Sequence, residues 1–287
     1  MNRLRFLALT FLSLAGVAAA DPVAHRVMIC DYGGHRLVEF DPDGKVAWEH
    51  KVPGVAVCMQ ALAGGNLVYA DFGIPNRIRE IDRDQKVVWE YLPKCEQVIG
   101  LERQANGNTI LAEQGPCRAV EVDSKGNIVS SIPLMTSEKA AHHQVRCIHR
   151  LADGHLLACH EGEGVVREYD KAGKVVWEYA KVGDVFEALR LPSGNTLIAC
   201  GTQKRIIEVT PKGEVAWELT SKDAPELKLA WVTSLQVLKN GNIVAANFLQ
   251  GHEGIHAFEV TRDKKIVWTF SNHDIKSLTM LRVLDDQ

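Results

Sequence analysis

The sequence predicts an all-β fold, a six-bladed β-propeller of four-stranded antiparallel blades that is closed by its C-terminal strand. Three observations predict it. One strand–turn–strand pattern occurs six times, a second hairpin pattern precedes five of these copies, and the partial units at the two ends of the chain complement each other. A repeat of about 40–50 residues that holds four short strands is typical of a propeller blade.

The first pattern is a strand, a tight polar turn rich in Asp, Gly and Lys, and a second strand that ends near tryptophan. Its copies occupy residues 36–50, 77–91, 118–132, 165–179, 205–219 and 256–270. The tryptophans are Trp48, Trp89, Trp177, Trp217 and Trp268, and Ser130 takes this place in the third copy. A large aromatic side chain that recurs at one place in each repeat is expected to pack between neighbouring blades.

The second pattern is a hairpin whose turn contains Gly-Asn or Gly-His, residues that tolerate a positive φ. One copy reads LRLPSGNTLIACGT. The five copies occupy residues 60–73, 102–115, 149–162, 189–202 and 236–249. Together, the two patterns supply the four strands of each unit.

The two ends of the chain complete one further unit. Residues 277–287 resemble the first strand of a unit with nothing after it, and residues 25–34 resemble a second strand that lacks a first. We therefore expect the C-terminal strand to pair with the N-terminal strands. Such closure removes the exposed sheet edges that a linear array would leave.

The N-terminus predicts export. Residues 1–20 combine a basic start at Arg3 and Arg5, an apolar stretch and a final Ala-Ala-Ala, the features of a cleaved signal peptide. The remaining residues, 21–287, are expected to form a single propeller domain in a secreted or periplasmic protein. No later apolar run approaches the length of a membrane span.

The charge balance limits the class of partner. The chain carries 33 Lys+Arg against 36 Asp+Glu, a formal net charge of −3, and no basic stripe. These properties disfavour nucleic acid as a partner. We expect a monomer that binds a small molecule or an extracytoplasmic protein.

Alignment of the units on their turn glycines identifies a candidate ring of polar residues. Each lies at the end of a second strand, directly after a small residue, on the face that also carries the connections between blades. The six residues are Asp31, Asp71, Glu113, His160, Cys200 and Asn247. They are candidate ligand-binding residues at the central mouth. The alternative is that each caps backbone groups where its strand ends.

Five histidines fall within residues 142–160, and the alignment separates them. His149 and His155 occupy ordinary strand and turn positions, whereas His160 belongs to the candidate ring. His142, His143 and His160 are candidate acid–base groups. Arg146 and Glu187 are expected to line the channel, with an ion pair as the alternative role.

A divalent metal is a candidate cofactor. The ring residues Glu113, His160 and Cys200 come from three consecutive units, and these residue types together bind divalent cations. Asp71 is an alternative acidic ligand.

The seven cysteines include no CxxC or adjacent pair. Cys95 and Cys117 are expected in loops at the same end of one blade, which predicts a disulfide between them. Cys30 and Cys159 share one repeat position, and Cys58 and Cys147 share another. These four are expected to be buried thiols.

The unit with the consensus E-x-D-x-x-G-K-V-V-W-E-Y resembles the quinoprotein-like repeats of pyrroloquinoline quinone dehydrogenases and the repeats of bacterial arylsulfotransferase-type propellers. This resemblance covers almost the whole chain after residue 20 and implies a propeller. The quinone-dependent dehydrogenases have eight blades and an adjacent Cys-Cys disulfide, which this sequence lacks, so pyrroloquinoline quinone is not expected as a cofactor. The comparison with arylsulfotransferases rests on His142 and His143.

Two hypotheses for function follow. The favoured one is a secreted or periplasmic propeller that binds a small molecule or a protein at its central mouth. The alternative is an extracytoplasmic enzyme, either a metal-assisted hydrolase or lyase or a group transferase, and less readily a quinone-dependent oxidoreductase. The sequence leaves open whether the protein is catalytic.

Overall fold

Strands of four to seven residues build six separate four-stranded antiparallel sheets in the computed structural model, which describes residues 24–73 and 75–286. Blade 1 consists of β24 (Leu278–Val283), β1 (Val27–Asp31), β2 (Arg36–Phe40) and β3 (Val46–Lys51). Blade 2 consists of β4 (Val55–Ala61), β5 (Leu67–Phe72), β6 (Arg77–Ile81) and β7 (Val87–Tyr91). Blade 3 consists of β8 (Gln97–Arg103), β9 (Thr109–Gln114), β10 (Arg118–Val122) and β11 (Ile128–Pro133).

The second half of the chain repeats this arrangement. Blade 4 consists of β12 (Cys147–Arg150), β13 (Leu156–His160), β14 (Val165–Tyr169) and β15 (Val175–Ala180). Blade 5 consists of β16 (Glu187–Arg190), β17 (Thr196–Ala199), β18 (Arg205–Val209) and β19 (Val215–Thr220). Blade 6 consists of β20 (Trp231–Val237), β21 (Ile243–Phe248), β22 (Ala257–Val260) and β23 (Ile266–Phe270).

The predicted fold and its closure are confirmed. Strand β24 pairs antiparallel with β1, with Ile29 opposite Leu281, so the C-terminal strand is the inner strand of blade 1. The inner strands of successive blades contact one another around the axis. The predicted signal peptide lies outside the described residues. Within those residues the helical segments are two short 3₁₀ turns, Ala141–His143 and Pro225–Leu227, and no helix is long and apolar enough to cross a membrane.

The core consists of six apolar clusters. Second strands are buried except for the last residues of β5 and β21, Phe72 and Phe248, while the outer strands consist mainly of exposed and half-buried residues. The repeated tryptophans connect blades, as the sequence predicts. Trp177 donates from Nε1 to the carbonyl of Pro211 in the next blade, and the guanidinium of Arg190 lies 4.9 Å from its ring centre. Trp48, Trp89 and Trp217 make the same two contacts.

Four of the inner strands, β4, β8, β20 and β24, carry a β-bulge at their upper end, the end that begins at the connection between blades. In β8 the register passes from Val98 to Gly100, in β20 from Val232 to Ser234, and β24 skips one residue against β1. A bulge inserts one extra residue and re-aims its side chain. The extra residues are Ile99, Thr233 and Thr279.

Closure by β24 predicts that Leu281 contributes strongly to the stability of the fold. Its side chain is 1% exposed within the cluster that joins blades 6 and 1. We expect Leu281→Ala to lower the free energy of unfolding by about 2–5 kcal/mol, measured by urea denaturation, because it leaves a cavity. Val176→Ala, at an exposed position of an outer strand, is the matched control. A loss for Leu281→Ala no greater than that of the control would contradict closure.

Candidate functional site

The predicted ring residues anchor the connections between blades. Asp31 accepts hydrogen bonds from the backbone N–H groups of Lys276 and Ser277 at 3.0 and 2.9 Å. Asn247 accepts from the N–H of Ala230 at 2.7 Å, and Asp71 accepts from the N–H of Gly54 at 2.9 Å. All three side chains are buried. The alternative explanation, capping of backbone groups at strand ends, therefore describes these residues.

The other three ring residues each contact partners within or next to their own blade and not one another. Glu113 accepts from Nε of Arg118 at 2.7 Å, and the Cys200 thiol lies 3.8 Å from the carbonyl of Ile198. His160 is fully buried and uses both ring nitrogens, at 3.0 Å from the Gln144 carbonyl and 2.8 Å from the Tyr169 hydroxyl. None of the six ring residues lines the axial cavities. The structure thus does not assemble Glu113, His160 and Cys200 as a metal site.

A different group meets the distance requirements for a metal. Within the described chain, Asp153, His155 and Glu168 bring three potential ligand atoms together. Asp153 and His155 lie in the turn between β12 and β13, on the face away from the blade connections, and Glu168 lies on the adjacent strand β14. His155 Nδ1 is 2.7 Å from Glu168, and Asn66 and Glu80 form the same pair in blade 2. The group is therefore one version of a hydrogen bond that the repeats use structurally.

Two of the residues that directly follow ring positions line the mouth instead. Successive side chains of a strand point to opposite faces, so a shift of one residue separates buried anchors from residues that can face the channel. The six following residues are Tyr32, Phe72, Gln114, Glu161, Gly201 and Phe248. Tyr32 and Phe248 line the mouth cavity, and Glu161 binds an arginine at its edge. Three of these six residues are aromatic, and this enrichment was the sequence signal that could have identified the residues of the mouth.

A second ring surrounds the axis and forms a neck. Five blades contribute the residue eight positions before the turn glycine, and blade 1 contributes the aligned residue of β24. The set includes the bulge residues described above. The neck residues are Val57, Ile99, Arg146, Phe186, Thr233 and Thr279. They enclose a cavity of about 50 Å³ between the mouth cavity, of about 200 Å³, and a lower cavity of about 300 Å³. Arg146 is the one charged member of the neck.

The wall of the mouth is largely aromatic. The Trp231 ring stacks on Phe248 with centroids 5.7 Å apart and lies 5.4 Å from Phe186. Tyr32 and His142 complete the wall. The Thr233 hydroxyl, in a side chain that is 95% buried, has no hydrogen-bond partner among the described residues.

The Arg146 guanidinium connects the mouth to the neck. Nε donates to a carboxylate oxygen of Glu161, and Nη2 donates to Nε2 of His142 at 3.0 Å. The guanidinium carbon lies 5.0 Å from the centre of the Phe186 ring. Hydrogen bonds within the described residues use Nε and Nη2 but not Nη1. One cationic N–H group is therefore available to a ligand in the cavity.

The two adjacent histidines occupy the 3₁₀ turn before β12. His142 Nδ1 lies 2.8 Å from the amide oxygen of Gln97, while Nε2 accepts from Arg146. This pattern places the proton on Nδ1 of a neutral ring. Burial and the charge of Arg146 lower the pKa of His142, which favours the same neutral form. His143 is half exposed and lies 3.1 Å from Glu161.

The lower cavity contains a separate ionic network. His149 lies between Glu102 at 2.8 Å and Glu187 at 3.2 Å, and Arg282 lies 3.2 Å from Glu187. Burial disfavours the charged imidazole, but hydrogen bonding with Cys147 and the two carboxylates raises the pKa of His149. Burial likewise opposes ionisation of Glu187, yet Arg282 and His149 lower its pKa to about 2. The predicted channel residues Arg146 and Glu187 thus belong to different networks.

The predicted disulfide between Cys95 and Cys117 is wrong. Both cysteines are free. Cys95 packs in the cluster between blades 2 and 3, with its thiol 3.2 Å from the carbonyl of Gln97, while Cys117 belongs to the cluster between blades 3 and 4. The two thiols face opposite sides of blade 3, so their shared end of the blade does not bring them together.

Fold and site together define a six-bladed β-propeller with an aromatic axial mouth. A family model described as outer membrane protein assembly factor BamB, of the PQQ repeat type, matches residues 138–287. The match covers more than half of the chain, and the chain belongs to this family of PQQ-like propellers. No curated protein matches the chain.

Several solved structures share the fold. A protein of unknown function from Bacteroides caccae has a TM-score of 0.80 and 19% identity, over 90% of this chain and 98% of that chain. A streptogramin B lyase has a TM-score of 0.63 and 15% identity, over 93% and 96%. A catalytically inactive virginiamycin B lyase from Staphylococcus aureus, with quinupristin, has a TM-score of 0.62 and 14% identity, over 92% and 88%. At these identities the similarity establishes the fold alone.

The burial of His160 predicts that the free energy of unfolding depends on pH. Burial and the nearby charge of Arg167 lower its pKa to about 4, from an ordinary value of 6.5. The unfolded chain therefore binds the proton more tightly, and stability is lost as the pH falls from about 6.5 to 4. Between pH 7 and pH 4 the free energy of unfolding of the wild type should fall by roughly 3 kcal/mol more than that of His160→Gln. Equal losses in urea titrations would contradict this role.

Proposed function

We propose that the protein is a secreted or periplasmic propeller that binds a small organic molecule in the mouth cavity. The observation that carries this proposal is the pairing of one available cationic donor with an aromatic wall. Arg146 supplies the donor, and Trp231, Phe248 and Phe186 supply the wall. An apolar cavity with few convergent polar groups is the usual form of a small-molecule site.

The chemistry of the wall selects the class of ligand. A guanidinium binds a carboxylate through charge-assisted hydrogen bonds, and planar rings stack on aromatic side chains. The hydroxyl of Thr233, without a partner among the described residues, adds a second polar group at the neck. We therefore infer a ligand that combines a carboxylate with an aromatic ring, the carboxylate on Arg146 and the ring against Trp231.

Aromatic carboxylates test this proposal. Calorimetric titration with benzoate and indole-3-acetate should detect binding to the wild-type protein. Arg146→Gln should raise the dissociation constant about 10–100-fold, because a hydrogen bond to a charged group contributes about 1.5–3 kcal/mol. Arg190→Gln is the matched control, since Arg190 stacks on Trp177 away from the mouth. Equal affinities of wild type and Arg146→Gln, or no binding of either probe, would contradict the proposal.

A lyase is the second candidate function. It is favoured by the lyases among the similar folds and by the neutral His142 in the mouth, a form that can accept a proton. Binding is preferred because Nε2 of His142 already accepts from Arg146. Cleavage of quinupristin by the wild type, detected by mass spectrometry and abolished in His142→Gln, would replace the binding proposal with the enzymatic one.

Export rests on residues 1–20. The basic start, apolar stretch and alanine triplet support cleavage after Ala20. Expression of the full chain in a bacterial host should yield a periplasmic product whose N-terminus is Asp21. A cytoplasmic product that retains Met1 would contradict export.

A further inference from the structure

Two cysteines of blade 4 contact each other at the channel wall. Cys147 on β12 and Cys159 on β13 are directly opposite in the antiparallel register, and their sulfur atoms are 2.9 Å apart. Directly opposed residues of such a pair have Cα atoms about 4.5–5.5 Å apart, which falls within the span of about 4.4–6.8 Å that a disulfide bridges. Both thiols are free in this structure.

The two thiols differ in their accessibility from the channel. Cys147 is 6% exposed and lines both the neck cavity and the lower cavity, whereas Cys159 is completely buried behind it. A molecule in the channel therefore meets Cys147 first. Cys159 is in contact with the sulfur of Cys147 and positioned to react with it afterwards.

The surroundings of Cys147 favour its thiolate. Burial opposes ionisation, but hydrogen bonding with the Cys159 thiol and the nearby His149 imidazole outweigh it and lower the pKa of Cys147. Cys58 occupies the same repeat position in blade 2 and lines the same two cavities, yet burial raises its pKa to about 12. Ala70 stands in blade 2 where blade 4 has Cys159.

We propose that Cys147 and Cys159 form a redox-active pair, with Cys147 as the channel-facing nucleophile, Cys159 as the resolving thiol and small-molecule disulfides as the reaction partners. The contact of the two sulfur atoms at the wall of a cavity carries this inference. It is independent of the ligand proposed for the mouth.

The reaction is a thiol–disulfide exchange in two steps. The Cys147 thiolate attacks one sulfur of a disulfide R–S–S–R, which forms a mixed disulfide and releases one thiolate RS⁻. Cys159 then loses its proton to the medium and attacks the Cys147 sulfur. The Cys147–Cys159 disulfide forms and a second RS⁻ leaves. Two protein thiols are oxidised, and one disulfide is reduced to two thiols.

Oxidised glutathione is the probe for this exchange. The full chain is reduced, freed of reductant and treated with the probe at pH 7; remaining thiols are alkylated with iodoacetamide and the peptides are mapped by mass spectrometry. We expect the peptides that contain Cys147 and Cys159 to be joined. Cys159→Ala should accumulate glutathione on Cys147, and Cys147→Ala should leave Cys159 unmodified. Cys58→Ala, the matched control, should form the disulfide as the wild type does.

Two results on the wild-type protein would overturn the proposal, whether or not the variants fold. One is unchanged alkylation of Cys147 and Cys159 after exposure to the probe. The other is glutathione that stays on Cys147 without transfer to Cys159. In the reduced protein, the rate of alkylation of Cys147 should reach its plateau at a lower pH than that of Cys58, and Cys58 should react at least about tenfold more slowly at pH 7. Equal rates for these two cysteines would also contradict the proposal.

Discussion

The bulge at the upper end of β4, β8, β20 and β24 is the constraint on which the neck of the channel depends. A regular inner strand would continue the pleat, and the residues at this level would alternate between the two faces of the blade. The extra residue gives an additional side chain at the axis, as Ile99, Thr233 and Thr279 show. Arg146 and Phe186 occupy the same repeat position in blades 4 and 5. One arginine in a ring of otherwise uncharged side chains makes the neck asymmetric, and the proposed ligand site lies on the side of this arginine.

The fold was predictable because its signals are local and repeated. The turn glycines adopt a positive φ, such as +87° at Gly65, and four of the repeated tryptophans donate a hydrogen bond to the next blade, so weak signals from several units reinforce one another. The site was predicted less well because it depends on which face of a strand a residue occupies. His160 and Glu161 are neighbours in the chain, but one is a buried anchor and the other binds Arg146. The alignment located the end of each second strand, but it did not separate the buried side chains from the neighbouring side chains that line the cavity.

Charge along the channel is divided between two networks. Above, Arg146 bonds to Glu161 and His142 and faces the aromatic mouth. Below, Glu187 and His149 combine with Glu102 and Arg282. Each network compensates buried charges within itself, as buried ionic groups require. Cys147 and Cys159 lie at the level between them, where the charge of His149 reaches the thiol that lines the cavities. The proposed ligand site and the proposed redox pair therefore occupy different levels of one channel.

A crystal structure with 4-iodobenzoate tests directly whether the mouth is the binding site, because anomalous scattering locates the iodine atom. We expect an iodine peak against the rings of Trp231 and Phe248, with the carboxylate on Arg146 Nη1. Crystals of Arg146→Gln should lack this peak. An iodine atom found only in the lower cavity or on the outer surface, or one that is unaffected by Arg146→Gln, would contradict the claim that the mouth is the binding site.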